Sequence, residues 1–554
     1  MSPWKLFVAL LAALLGACAT TPPRATAPVA VKVLAINDFH GNLLPPLGGI
    51  RIKDPADPAK TLNVAAGGAA HMASAITELR RKNSNHIFVA AGDLIGASPL
   101  LSALFHDEPT IESLNLMGLE ASAVGNHEFD HGRPELLRMQ SGGCHPSGGC
   151  KGPKPFAGAN FKYLAASTVV QTSGKTLFPA VHVKRFEGIP VAFIGLTLKD
   201  TPTIVVPSGV AGLTFRDEAQ TVNELVPQLR AQGIEAIVVL IHEGGMPSGD
   251  YNECPGISGP IVEIVSKLDK AVDLVVSGHT HRAYTCRIDG RLVTSADKFG
   301  TIVSEIDLQL DPQSGDVISA AANNVIVRTD RFAPDAAQTQ LIAAYQQLAA
   351  PLAKRIVAHL PGALSRDETP AGESPIGQVI ADAQLAATRA ADRGGAQLAL
   401  MNPGGVRAAL VPAPGGEVRY EDLFAVQPFY NNLVTLTLSG AQLLQVLEAQ
   451  WLNQPRPRIL QVSTGFGYAW DASRPVGQRV VAGSVQIKGK TLDPEANYRV
   501  TVNSFLSSGG DNFQALKLGR DARTGVMDVD ALEAYLASQP ALPRDMPQRI
   551  QRVN

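Results

Sequence analysis

Aromatic residues make up only 5% of this 554-residue chain, charged residues 18%, and there are just 5 cysteines. So few cysteines exclude a small disulfide-framed scaffold. The 48 basic residues nearly cancel the 50 acidic ones, for a formal net charge of -2. No overall field therefore holds the chain on a nucleic-acid polymer or an anionic surface, and a small anionic ligand must be gripped locally. There is no internal repeat, which excludes a solenoid, and nothing points to an obligate protein partner. What is present is 45% hydrophobic sequence, enough for two or three domains with sizeable cores.

The first residues read as an address. Lys5 precedes the apolar run 6–15, too short to span a bilayer. Leu15-Gly16-Ala17-Cys18 resembles a bacterial lipoprotein cleavage box, which would make residues 1–17 a signal peptide and Cys18 the lipidated first residue of the mature protein. An ordinary signal peptide with an incidental cysteine is the alternative. Ala19, rather than aspartate, after the cysteine favours the outer membrane. Residues 18–30, rich in Thr, Pro and Ala, read as a tether. The protein is thus expected to be exported, periplasmic or outer-membrane-anchored, and to meet the membrane only through its lipid. Of the other cysteines, Cys144 and Cys150 flank a Gly/Pro-rich loop and Cys254 and Cys286 bracket a helix and a strand. The expected bridges are 144 to 150 and 254 to 286, with a thiolate zinc site as the alternative.

From 31 to 330, short Val/Ile/Ala runs alternate with helical stretches. The runs 31–36, 87–91, 122–124, 191–196, 236–241, 274–276 and 292–294 read as strands buried on both faces, covered by helices such as 69–82 and 216–232. Residues 331–358, Ala/Gln/Leu-rich from 334, read as a connecting helix. Within 359–554 we expect helices at 376–391 and 440–451 and strands at 397–401, 484–488 and 498–503.

Five strand runs end in metal-binding residue types: Asp38-Phe39-His40, Gly92-Asp93, Gly125-Asn126-His127-Glu128, His242, and Gly278-His279-Thr280-His281. Each alone is weak. In open α/β sheets ligands collect beyond the carboxyl ends of the strands, so five such clusters converge on one crevice.

This order of motifs resembles the calcineurin-like metallophosphoesterases, and Gly125-Asn126-His127-Glu128-Phe129-Asp130 together with the second half resembles their bacterial 5'-nucleotidase and UDP-sugar hydrolase branch. The resemblance implies a four-layer αββα catalytic domain followed by an α+β substrate-specificity domain. It assigns one divalent ion to Asp38, His40, Asp93 and His281 and a second to Asp93, Asn126, His242 and His279, with Asp93 bridging. Carboxylate, imidazole and amide donors suit Mn, Zn, Co or Fe. Some relatives carry glutamine in place of His281. The resemblance makes His127 the general acid, oriented by Asp130; Asp130 also reads as a helix N-cap.

In the second half, the turn Asn402-Pro403-Gly404-Gly405-Val406-Arg407 follows a strand, with two glycines for close backbone approach and an arginine fork for phosphate. The resemblance makes Asn402, Gly405 and Arg407 substrate-binding. It also implies that Phe429 and Phe505 sandwich a base and Asn431 assists, while Asp511 contacts ribose. Where relatives place another phosphate-binding arginine this chain has Pro370, and Arg366 is the expected partial substitute. The expected activity is release of phosphate from nucleoside monophosphates. Nucleotide sugars, 2',3'-cyclic nucleotides and a thiosulfohydrolase reaction are alternatives on the same scaffold, and a nucleoside-binding surface lipoprotein is the non-enzymatic one.

Overall fold

In the strand Val29–Ile36 every residue but Ala30 is buried, and the two faces go to different cores. Val31, Val33 and Ala35 point one way, Leu34 and Ile36 the other, as the two-residue period of a strand requires. The computed structural model describes residues 27–454, 456–539 and 546–554, so Cys18 and its cleavage box lie outside the described residues.

This strand lies inside a six-stranded sheet of order Val317–Ile326, Ile302–Leu310, Val29–Ile36, His86–Ala90, Ala121–Ala123, Lys162–Leu164. A second six-stranded sheet runs Ala283–Ile288, Arg291–Ala296, Val272–Ser277, Ala236–His242, Ile189–Thr197, Val181–Phe186. Val33, Val89, Phe193, Val238 and Leu240 pack between the sheets. Helices Ala69–Arg80 and Glu108–Met117 cover the first sheet, and Glu218–Arg230 and Pro260–Lys267 the second. These are the expected four layers, and two-sided burial explains the unbroken apolar runs.

The antiparallel pair Ile302–Leu310 and Val317–Ile326 was not anticipated from the apolar runs. Its outer strand is mostly exposed or half-buried, with Asn324 and Val325 alone fully buried, so it presents no long apolar run. Conversely, 484–488 forms only the two-residue strand Gln486–Ile487.

The connecting helix is Ala336–Ala353, shorter than 331–358 at both ends. Asp335 caps its start by accepting the Gln338 N–H at 3.0 Å. Past Ala353 the chain turns extended and Ile356–His359 pairs with Glu417–Arg419. The second half has a five-stranded sheet of order Gln461–Val462, Leu398–Met401, Asn497–Asn503, Asn432–Ser439, Arg520–Met527. Helices Pro375–Thr388, Gly440–Glu448 and Asp528–Ser538 pack against it, the first two capped by Ser374 and Ser439, beside a four-stranded sheet of order Lys490–Thr491, Gln486–Ile487, Phe466–Trp470, Ile550–Arg552. No described helix is long and apolar enough to cross a membrane.

Candidate functional site

Asp38, Asp93, His242 and His279 each stand at or just past the end of a parallel strand, so the sheets aim them at one point. Asp38, His40 and His281 bring their donor atoms together, as do Asp93, His242 and His279. Within the first group His40 Nε2 lies 3.1 Å from His281 Nε2, and His281 Nε2 lies 3.2 Å from Asp38 Oδ1. Asp93 Oδ2 is 3.6 Å from His40 Nε2 and 3.0 Å from His242 Nε2, so it stands between the groups. Asp38, His40, Asp93, His279 and His281 have φ between 45° and 68°, left-handed backbone that costs a non-glycine residue energy and collects at functional sites. A side chain at Gly125 would collide with Asp93, its Cβ falling 2.2 Å from Oδ1.

The donor set tests whether ions fit. Asp38 Oδ1, Asn126 Oδ1 and His242 Nε2 are buried without a hydrogen-bond partner, although buried polar atoms are normally satisfied. His40 Nδ1 bonds the Gly96 carbonyl at 2.8 Å and His242 Nδ1 the Ala91 carbonyl at 2.7 Å. Carbonyls only accept, so each ring carries its proton on Nδ1 and turns the Nε2 lone pair inward, as metal ligands do. The oxygen and imidazole donors fit two divalent ions, with Asp38, His40 and His281 on one side, His242 and His279 on the other, Asp93 between them, and Asn126 Oδ1 a further buried and unmet oxygen. Burial disfavours charge on Asp93, but His242, His127 and His40 hold its carboxyl well below the usual range.

His127 Nδ1 meets Asp130 Oδ2 at 2.8 Å, which leaves Nε2 free to face a substrate. Burial lowers the His127 pKa, but Asp130 and Asp93 outweigh it and the net direction is upward. Asp130 makes no helix cap: the helix Gly132–Ser141 starts at His131 without a side-chain cap. Sequence reasoning did not single out Glu128, whose carboxylate accepts N–H bonds from Asp93 at 2.9 Å, Leu94 at 2.7 Å and Gly125 at 2.6 Å. It ties the two ligand loops together. Replacing it with alanine leaves those donors buried and unmet, each costing about 1–3 kcal/mol. Glu128→Ala is expected to lower both the unfolding midpoint and the bound metal, measured by urea titration and elemental analysis, with Glu128→Gln between it and wild type.

From the second half, Phe429 stacks on His127 with ring centroids 5.8 Å apart, and the Arg407 guanidinium lies 5.7 Å from the Phe429 ring. Arg407 Nη2 is buried and unpartnered. Arg366 Nη1 donates to the Arg407 carbonyl at 3.3 Å. Asn402 donates to Asp511 at 2.8 Å and accepts from Asn503 at 2.9 Å, and Gly405 is buried beside it. Asp511 is also held by Arg458, a residue the motifs did not point to. Asn431 accepts from Ser504 at 3.0 Å, joining the loops that carry Phe429 and Phe505. Phe505 is half-buried, its ring filling the space where a Gly510 side chain would stand.

The bridges Cys144–Cys150 and Cys254–Cys286 are both present. The former closes a loop whose His145 gathers with His106 and Glu135. The two rings stack at 4.0 Å and 9°, so one ion cannot lie in both ring planes, and Arg138 holds Glu135. We read that group as a stacked pair.

Two donor clusters sharing a carboxylate, at the strand ends of an αββα sandwich, define a two-metal hydrolase. Residues 31–283 match the calcineurin-like phosphoesterase family and 356–518 the 5'-nucleotidase C-terminal domain. Endonuclease YhcR of Bacillus subtilis is 31% identical over 93% of this chain, which spans 40% of that protein's length. Cell wall protein Lmo0130 of Listeria monocytogenes is 31% identical over 94% of this chain and 69% of its own. The 5'-nucleotidase precursor from Thermus thermophilus shares the structure with a TM-score of 0.76 at 27% identity, over 95% of this chain and 99% of that one. The chain belongs to the family that joins a calcineurin-like phosphoesterase domain to a 5'-nucleotidase C-terminal domain, metal-dependent phosphoester hydrolases that use two divalent ions.

Proposed function

We propose that the protein is a 5'-nucleotidase that releases phosphate from nucleoside monophosphates, exported and held at the membrane through Cys18. Residues 1–17 would be its signal peptide, 18–30 its tether, 31–330 the catalytic domain, 331–358 the connection and 359–554 the specificity domain. The stacking of Phe429 on His127, with Arg407 against the same phenylalanine ring, carries the reading. It puts an apolar ring and a guanidinium fork from the second half directly beside the ligand clusters.

Two bound divalent ions would supply an acidified water and neutralise phosphoryl charge. Arg407, with a buried donor unmet, binds a phosphoryl oxygen. Hydrolysis forms a P–O bond from water and breaks the ester P–O bond, and the leaving oxygen takes its proton from His127, which Asp130 orients. Phe429 and Phe505 hold the base, and Asn402, Asn431 and Asp511 brace their loops.

Base stacking on an aromatic ring is worth about 1–3 kcal/mol, so Phe429→Ala and Phe505→Ala should each lower kcat/KM for AMP roughly five- to a hundredfold. Hydrolysis of p-nitrophenyl phosphate should fall less than about threefold. Equal loss on both substrates would make the rings structural, and no loss on AMP would leave a general phosphatase. Running UDP-glucose and 2',3'-cAMP alongside ranks the alternative esters.

A further inference from the structure

Three parts of the site meet at Gly96. Its carbonyl takes the Nδ1 proton of the ligand His40 at 2.8 Å. A Cβ on it would fall 2.4 Å from the His127 carbonyl oxygen and 2.9 Å from Asp130 Oδ2, so its backbone lies flat against the acid and the carboxylate that orients it. Gly96 and Ala97 both have left-handed φ, 81° and 48°, and so irregular a turn keeps its shape only where its surroundings hold it.

Asp107 does the holding. Its Oδ2 accepts the Gly96 N–H at 3.2 Å and its Oδ1 the Ser102 hydroxyl at 2.6 Å, and Asp107 and Ser102 are both buried. One carboxylate thus closes the loop 96–107 at its base. The middle of the loop is the short helix Leu100–Ala103, which is covered on two sides. On one side lies Gly41, the residue after His40, where a Cβ would come 2.5 Å from Ser98 Oγ and 2.9 Å from Ser102 Cβ. On the other, Leu100 and Phe105 are buried in one cluster with Tyr345 of the connecting helix and with Leu423 and Phe424 of the second half. The Phe105 ring meets Tyr345 edge-on, with centroids 4.8 Å apart. The same twelve-residue stretch therefore touches a metal ligand at its base and the core of the other half at its tip.

We propose that Asp107 is a positioning residue through which the seating of the second half fixes His40, so that the fit between the halves and the affinity for the ion at His40 are linked. A displacement of Leu100 or Phe105 in that core passes through Asp107 to Gly96, which carries the His40 ring and the His127 backbone. Linkage is reciprocal, so the ion tightens the junction as much as the junction tightens the ion. No substrate enters the inference, which goes beyond the nucleotidase reading and outlasts its failure.

The left-handed φ of 61° at Asp107 supplies a clean variant. Asp107→Gly removes the carboxylate and takes that backbone without strain, while Asp107→Asn keeps an acceptor and tolerates the same φ. Phe105→Leu, and Leu100→Val as a milder change, loosen the junction away from the ions. Each full-length variant is stripped and titrated with Mn²⁺ against a competing chelator, and its urea unfolding is followed with and without Mn²⁺. Substitutions along such a chain of contacts change coupling by about 3- to 30-fold, so Asp107→Gly should weaken one of the two Mn²⁺ equivalents by that factor and leave the other within about threefold. The junction variants should weaken the same equivalent to a smaller extent, and Asp107→Asn should recover part of the loss. Both equivalents weakened alike, or both unchanged, in Asp107→Gly overturns the positioning role. Junction variants that lower the metal-free unfolding midpoint yet keep both affinities overturn the link to the second half.

Discussion

Asp93→Ala is expected to abolish turnover, by more than about 10⁴-fold, and to strip bound metal, whereas His127→Ala loses about 10²–10⁴-fold and keeps its metal. The contrast follows from where each side chain points. Asp93 stands between both donor groups, 3.6 Å from His40 and 3.0 Å from His242, so no neighbour replaces its oxygens. His127 donates its backbone N–H to Asp93 Oδ1 at 2.9 Å and sets its ring edge-on to His40 at 5.1 Å, but its Nδ1 is engaged by Asp130 rather than by the cluster, and its ring stacks on Phe429. Elemental analysis of the dialysed variants beside kcat/KM on aryl phosphate reads both quantities. Equal metal loss in the two would place His127 in the cage and remove the proposed acid.

Arg407→Ala should cost about 10²–10³-fold in kcat/KM on every phosphate substrate, AMP and aryl phosphate alike. This separates it from the ring variants, which discriminate by base. Arg407 is half-buried against Phe429 with its buried Nη2 unmet, a donor in place before any substrate arrives. Arg407→Lys should recover little, because an ammonium does not present two parallel N–H groups to a phosphoryl face. Metal content should stay at the wild-type level. A variant that lost only AMP turnover would move Arg407 from the reacting phosphate to the rest of the nucleotide.

The metal cage was legible in the sequence because its donors are punctuation marks: polar residues that interrupt buried strands at their ends, with glycines beside Asp93, Asn126 and His279. Asp38, His40 and His281, like Asp93, His242 and His279, do come together as the motifs implied. Glu128 was harder to read. It sits inside a motif yet works through backbone N–H groups, and any residue can supply those. Arg458 carries no motif, and its role shows only when the fold brings it to Asp511, 53 residues further along the same half. The edge pair Ile302–Leu310 and Val317–Ile326 escaped for another reason. Ile302–Leu310 is nearly all buried but its apolar residues are interrupted by Ser304, Glu305 and Asp307, and Val317–Ile326 is largely exposed, whereas continuous apolar runs mark strands that are apolar on both faces.

The left-handed backbone at five ligand positions bears on how the protein acquires its ions. Those residues are held in their unfavourable conformation by strand ends and neighbouring hydrogen bonds, so the donors are assembled by folding itself. A cage shaped in advance needs no rearrangement to load, and it selects by size and donor type rather than by closing around a preferred ion. Several first-row divalent metals satisfy such donors, and their intrinsic affinities follow a fixed chemical order. The metal found in the protein will therefore record the supply where the chain folds, and preparations from media of different trace-metal content should differ in composition while sharing one structure.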